Sequence, residues 1–76
     1  MACVRVTILK KVWINGSMRD LEDGVRVVAD VLSMLGVPRD GTLVERNGEA
    51  LFAREYDATL VEDGDRFELV RIAAGG

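Results

Sequence analysis

The sequence predicts a two-layer α+β domain, one helix packed across one face of a mixed sheet. Three observations carry that expectation: apolar residues alternate at period two near both ends, one central stretch switches to helical period, and two Asn-Gly pairs break the β-type runs. Val4, Val6 and Ile8 alternate with polar neighbours, Val12 and Ile14 resume the pattern, and Asn15-Gly16 then supplies a two-residue hairpin turn. With those two residues central, Ile14 faces Ser17, Trp13 faces Met18, and Lys11 faces Asp20 as a weak surface ion pair.

Val28, Val31, Leu32 and Leu35 fall at i, i+3, i+4 and i+7, one apolar stripe of a helix. Gly36 follows the last of them and Pro38 comes two residues later, the pattern of a C-terminal stop with Val37 folding back on the last turn. The start carries no such signal, since Arg26 and Val27 stand where Ser or Thr would cap best.

Beyond the helix, TLVERNGEALF reads as a second β-type run broken at Asn47-Gly48, and ATLVEDGDRFELVRI as a short apolar piece, a turn at Asp63-Gly64-Asp65 and a last strand from Arg66 to about Ile72. The order is β-β-α-β-β with one more short piece before the last strand, a sheet of four to five strands. Expected core residues are Val12, Ile14, Val28, Val31, Leu32, Leu35, Val44, Phe67 and Leu69. In the last strand Phe67 and Leu69 share a face, so Glu68 and Val70 face outward.

Seventy-six residues support one core, read as residues 1–72 followed by a flexible tail at 73–76. Cys3 is the only cysteine and there is no histidine, which excludes a disulfide framework, the usual zinc sets and a His-based triad. A net charge of −3 and no basic cluster beyond Lys10-Lys11 argue against nucleic acid. No apolar run reaches the roughly 20 residues of a membrane span, and no charged leader precedes an apolar stretch, so the expectation is a cytoplasmic monomer away from membranes.

The candidate sites are few. Glu62, Asp63 and Asp65 lack the further oxygen ligands and closing glutamate of a calcium loop and read as a turn. Cys3 has no visible base and reads as an inert thiol, and nothing brings the carboxylates together as an acid/base pair. Trp13 has the strand parity of Lys11, opposite to Val12 and Ile14, and reads either as an interface anchor on the outer face or as a core indole. The end of the chain, Ile72-Ala73-Ala74-Gly75-Gly76, is more specific. Two glycines without side chains pass a narrow channel, two alanines keep the approach slim, and five extended residues reach about 16–18 Å, enough to carry a terminal carboxylate into another protein's active site. That carboxylate is anionic and unreactive until adenylation gives it a leaving group.

The stretch VERNGEALFAREYDATLVEDGDRFELVRIAAGG, with INGSMRDLEDGVRVVADVLSMLGV ahead of it, resembles the ThiS family of sulfur carrier proteins of thiamine biosynthesis. The resemblance spans roughly residues 12–76 and is most specific at Val44 to Glu49, at the Asp63-Gly64-Asp65 turn and at Gly75-Gly76. It implies a ubiquitin-like β-grasp fold and a non-enzymatic protein without a cofactor. Gly76 would be adenylated by an E1-like enzyme with MgATP and converted to a thiocarboxylate with sulfur from a cysteine desulfurase route. Thiazole synthase, or another acceptor, would then take the sulfur. Gly75 gives the slim approach, and Val70, Leu43, Trp13, Ile72, Ala73 and Ala74 form the expected partner-binding surface. The molybdopterin-synthase small subunit shares fold and diglycine, and a ubiquitin-like modifier forming isopeptide bonds is the reading from another class. Residues 1–11 lie upstream of the likeness, Tyr56 stands where many relatives have tryptophan, and Ala73-Ala74 departs from the commoner valine-containing ends.

Overall fold

The computed structural model describes residues 8–72. Strand β1 (Ile8–Ile14) turns at Asn15-Gly16 into β2 (Ser17–Glu22); helix α1 (Val28–Leu35) follows; then come β3 (Thr42–Arg46), β4 (Glu49–Leu51), a single 3₁₀ turn at Ala53–Glu55 and β5 (Arg66–Arg71). The five strands form one sheet in the order β2-β1-β5-β3-β4, with β1 and β5 parallel and every other pair antiparallel. This is the mixed sheet with one crossing helix expected from the sequence, at the upper end of the expected strand number. Val4 and Val6, expected to begin the first strand, lie outside the described residues, as do Cys3 and residues 73–76.

The first hairpin has the expected register, Ile14 opposite Ser17, Trp13 opposite Met18 and Lys11 opposite Asp20. Both Asn-Gly turns place asparagine and glycine at positive φ, 49° and 83° at the first and 52° and 87° at the second, as a type I′ turn demands. Lys11 and Asp20 close no ion pair, however. The ion pairs among the described residues are Arg39–Asp57, Arg46–Glu62 and Arg46–Asp65. An exposed lysine gains too little from a facing carboxylate to offset the freedom it would lose.

Helix α1 runs over the expected residues and ends at Gly36, whose φ of 70° is left-handed. Val37 N–H donates to Leu32 O at 3.0 Å and Gly36 N–H to Ser33 O at 3.1 Å, the bonds of a glycine-terminated helix, and Val37 packs back on the core. The missing Ser or Thr cap is replaced from elsewhere. Asp30 reaches back so that Oδ2 accepts from Arg26 N–H at 2.9 Å and Val27 N–H at 3.1 Å. The first helical donors, Val28 and Ala29 N–H, bond to Thr59 O and Tyr56 O at 3.0 and 2.9 Å. The loop after β4 thus satisfies the helix's orphan donors, which explains a helix start invisible in the local sequence.

The core lies between helix and sheet. Val12, Ile14, Val28, Val31, Leu32, Val44 and Phe67 are buried as expected, while Leu35 and Leu69 are partly covered and pack against them. Three buried hydrophobic residues were not foreseen: Leu21, Tyr56 and Val61. Leu21 is the one inward apolar residue of an edge strand whose other inward positions, Ser17 and Arg19, remain exposed. Tyr56 is fully buried because its hydroxyl donates to Thr42 O at 2.9 Å, which removes the cost of taking a phenol out of water. The short apolar piece near Leu60 is no strand: Leu60 makes one isolated bridge to Val27, and Val61 N–H bonds to Arg26 O at 2.9 Å as its side chain enters the core.

Candidate functional site: the root of the C-terminal tail

Strand β5 delivers the chain to its tail, and the last described residue is tied down. Ile72 N–H donates to Gly41 O at 2.7 Å, and Arg71 Nη1 donates to Asp40 O at 2.9 Å and to Thr42 Oγ1 at 3.0 Å. Thr42 is buried and its hydroxyl donates in turn to Pro38 O at 2.6 Å. The loop from Pro38 to Thr42 is therefore a bracket around the end of β5, and Gly41, at φ 78°, gives it the left-handed step that a side chain would strain.

The outer face of the sheet, away from the helix, begins at this bracket. Leu43 and Val70 are direct cross-strand partners and are half exposed, at 50% and 54%, with Ile72 beside them at 49%. The next pair along the face is Glu45 opposite Glu68, two like charges facing each other with no ion pair to either among the described residues, a destabilising arrangement for the domain by itself. Trp13 also lies on the outer face and is no core indole, 38% exposed with the Arg66 guanidinium 5.7 Å from its ring centre. It does not join the Leu43–Val70 pair: it sits opposite Arg66, four residues back along β5, roughly 13 Å away. The acidic pair separates the two apolar spots. Its sequence signal was two glutamates at outward positions of adjacent strands, legible only once the β3–β5 register is known.

The acidic turn before β5 is occupied by the fold. Asp63 Oδ1 accepts from Lys11 N–H at 2.7 Å. Asp65, 4% exposed, accepts from Arg46 Nε at 2.9 Å, Asn47 Nδ2 at 3.1 Å and Glu62 N–H at 2.8 Å. Burial pushes the Asp65 carboxyl up, but the Arg46 guanidinium, the Glu62 amide and the Asn47 side chain outweigh it and hold the group below the ordinary carboxylate range. These carboxylates fix the entry of β5 beside β1 and β3. Ala73, Ala74, Gly75 and Gly76 lie outside the described residues.

The ThiS family model matches residues 12–76, which leaves residues 1–11 outside it. A sulfur carrier protein ThiS of Thermus thermophilus is 37% identical over 65 residues, 86% of this chain and 98% of that protein. A thiazole synthase of Paramagnetospirillum magneticum is 38% identical over 66 residues, 87% of this chain, which spans only 20% of that longer protein. Among solved structures, the thiamine biosynthesis protein ThiS of Geobacter metallireducens superposes with a TM-score of 0.72 at 36% identity, over 87% of this chain and 99% of that one. A Caldiarchaeum subterraneum ubiquitin gives 0.54 at 31% identity, over 88% and 98%. The five-stranded mixed sheet with its single helix is thus the ubiquitin-like β-grasp fold, and the chain belongs to the ThiS family of sulfur carrier proteins of thiamine biosynthesis.

Proposed function

We propose that this carrier works through Gly76, as the substrate of an E1-like enzyme and with no catalytic residue in its own body. The carboxylate attacks the α-phosphate of MgATP and pyrophosphate leaves. The outer sulfur of a persulfide, charged by a cysteine desulfurase route, then attacks the acyl carbon and AMP leaves, after which a thiol cleaves the S–S bond and frees the thiocarboxylate. Thiazole synthase is the acceptor. The matching segment within the Paramagnetospirillum magneticum thiazole synthase supports that pairing, because it joins a carrier-like region to a synthase in one chain.

The observation that carries this reading is the anchored Ile72 beside the exposed Leu43–Val70 pair. A rigid root and an apolar landing surface let the body dock outside an active site while residues 73–76, about 13 Å when extended, reach into it. Leu43, Val70 and Ile72 make the main contact with the activating enzyme, Trp13 a separate one, and Ala73, Ala74 and Gly75 the slim approach. A modifier forming isopeptide bonds is the second reading, favoured by the likeness to the archaeal ubiquitin. Intact mass of the protein isolated from its own cells tests both. One oxygen replaced by sulfur at the C-terminus is the expected result; lysine-linked conjugates with an unmodified free pool would establish the modifier instead.

A further inference from the structure

A second surface adjoins the tail root on the opposite, helix-facing side of the sheet. Here a groove of about 420 Å³ opens between the end of α1 and the first hairpin, floored by Ile14, Leu35, Val37 and Leu69. Among the described residues its charged lining residues are Arg19 and Arg71 and no carboxylate lines it, although the chain as a whole carries −3. Arg71 is held in place through Nη1 alone, by Asp40 O and Thr42 Oγ1, and its Nε and Nη2 have no partner among the described residues. Arg19 stands opposite Val12 on the inward side of the edge strand and makes no ion pair or hydrogen bond among the described residues. A fixed guanidinium with spare donors, a second free cation and an apolar floor fit a carboxylate carried beside an apolar side chain.

We propose that this groove takes an acidic segment of the sulfur acceptor, a carboxylate pairing with Arg71 and Arg19 while a neighbouring apolar side chain fills the floor. The proposal rests on the reading of the chain as a carrier that meets thiazole synthase. Charge complementarity selects the occupant: in an acidic domain the charges that the described residues bring to this groove are all positive, and a small inorganic anion would leave its apolar floor uncovered. Because groove and Leu43–Val70 pair lie on opposite faces, the activating enzyme and the acceptor grip different sides of the same tail root.

The test is the affinity of purified cognate thiazole synthase for the wild-type carrier and for Arg19→Glu, Arg71→Lys and the Arg19→Glu/Arg71→Glu pair. Arg19→Glu is expected to weaken binding about 10-fold and the pair about 100-fold, while Arg71→Lys loses the planar fork and falls between wild type and the pair. The wild-type affinity is expected to drop with added salt and the Arg19→Glu affinity to drop less. Arg54→Glu, an equal charge change outside the groove, is expected to bind as wild type. Arg19→Glu breaks no hydrogen bond or ion pair among the described residues, so it carries the test even if the pair fails to fold. Equal binding by Arg19→Glu and wild type at every salt concentration overturns the groove proposal alone, whereas a wild-type carrier that does not bind the synthase removes the pairing on which it rests. Saturable binding of inorganic phosphate at Arg19 and Arg71, unaffected by the synthase, would make the groove an anion site and equally overturn it.

Discussion

Asn15 and Leu69 hold each other in both directions: Leu69 N–H donates to Asn15 Oδ1 at 2.8 Å, and Asn15 Nδ2 donates to Leu69 O at 3.3 Å. The side chain stands in for the next residue of a parallel strand just where β1 has turned away. Asn47 does the corresponding work at the start of β5, its Oδ1 accepting from Arg66 N–H at 2.9 Å and its N–H donating to Arg66 O at 2.7 Å. Each asparagine is thus both a turn residue and a clamp on β5. Asn15→Ala is expected to cost roughly 2–3 kcal/mol in urea denaturation, the sum of a left-handed backbone closed to alanine and a lost hydrogen-bond pair. Asn15→Gly keeps the backbone and is expected to cost about 1 kcal/mol.

The acid limb of stability is expected to depend on Asp65, Asp57 and Asp30. The Arg39 hydrogen bond lowers the Asp57 carboxyl, and the Arg26 and Val27 amides lower Asp30, as the Arg46 contacts lower Asp65 against burial. A carboxyl whose folded pKa is depressed adds stability at pH above its unfolded value of about 3.9, and that stability disappears as pH falls through the folded pKa. Denaturation midpoints should therefore hold steady near neutrality and fall below about pH 4. Asp65→Asn is expected to destabilise by about 2–4 kcal/mol at pH 7, because it leaves the partly buried Arg46 with only the longer, exposed Glu62 contact for its charge, and to flatten this limb.

Leu32 is the largest of the three fully buried residues of the helix stripe, 1% exposed like Val28 and Val31. Leu32→Ala is expected to lower stability by about 2–5 kcal/mol, read from the denaturant midpoint with unchanged slope.

Val70→Asp tests the outer face. Val70 is 54% exposed, so an added charge meets water in the free protein and folding is expected to be spared. Binding to the activating enzyme is expected to fall at least about 30-fold, since the charge would be desolvated beside Leu43 and next to Glu68. Calorimetric titration against that enzyme decides it: parental affinity would mean that the contact lies elsewhere.

Deleting Gly76 is expected to leave the denaturation curve unchanged and to abolish carrier-dependent pyrophosphate exchange. The loss of one residue withdraws the carboxylate by about 3.5 Å, beyond what in-line attack on a phosphate tolerates. Exchange at the parental rate would assign the reactive carboxylate to some other group.

What the sequence made legible was local. Asn15-Gly16, the Val28-to-Leu35 stripe and the Gly36 stop each carry their instruction within a few residues, and the alternation of Phe67 to Val70 sets which side of β5 is buried. What it hid was long-range. The local Asp30 carboxylate takes the Arg26 and Val27 amides, but the acceptors for the first helical amides of α1 are the Tyr56 and Thr59 carbonyls some thirty positions away in sequence, and Tyr56 is buried because Thr42 offers an acceptor. Asp65 looked like one of several surface acids in a turn, and only the approach of Arg46 and Asn47 makes it a buried hub. For the same reason the hairpin register pairs Trp13 with Met18, but neither its burial nor its distance from Leu43 and Val70 could be read: distance along the sheet depends on a parallel pairing that no turn specifies.

The position of β5 also bears on the order of events during synthesis. The last strand among the described residues is the middle strand of the sheet, and β1 and β3 meet only through it. Until residues 66–71 are available, the first hairpin and the β3–β4 pair each keep an unsatisfied edge, and closure must wait for contacts between the beginning and the end of the chain. A translation product broken off before Arg66 would be an open, protease-sensitive pair of hairpins, never a folded body lacking its tail. The topology acts as an inspection of length: a body compact enough to dock has already been made as far as Ile72, the residue bonded to Gly41 at the end of β5.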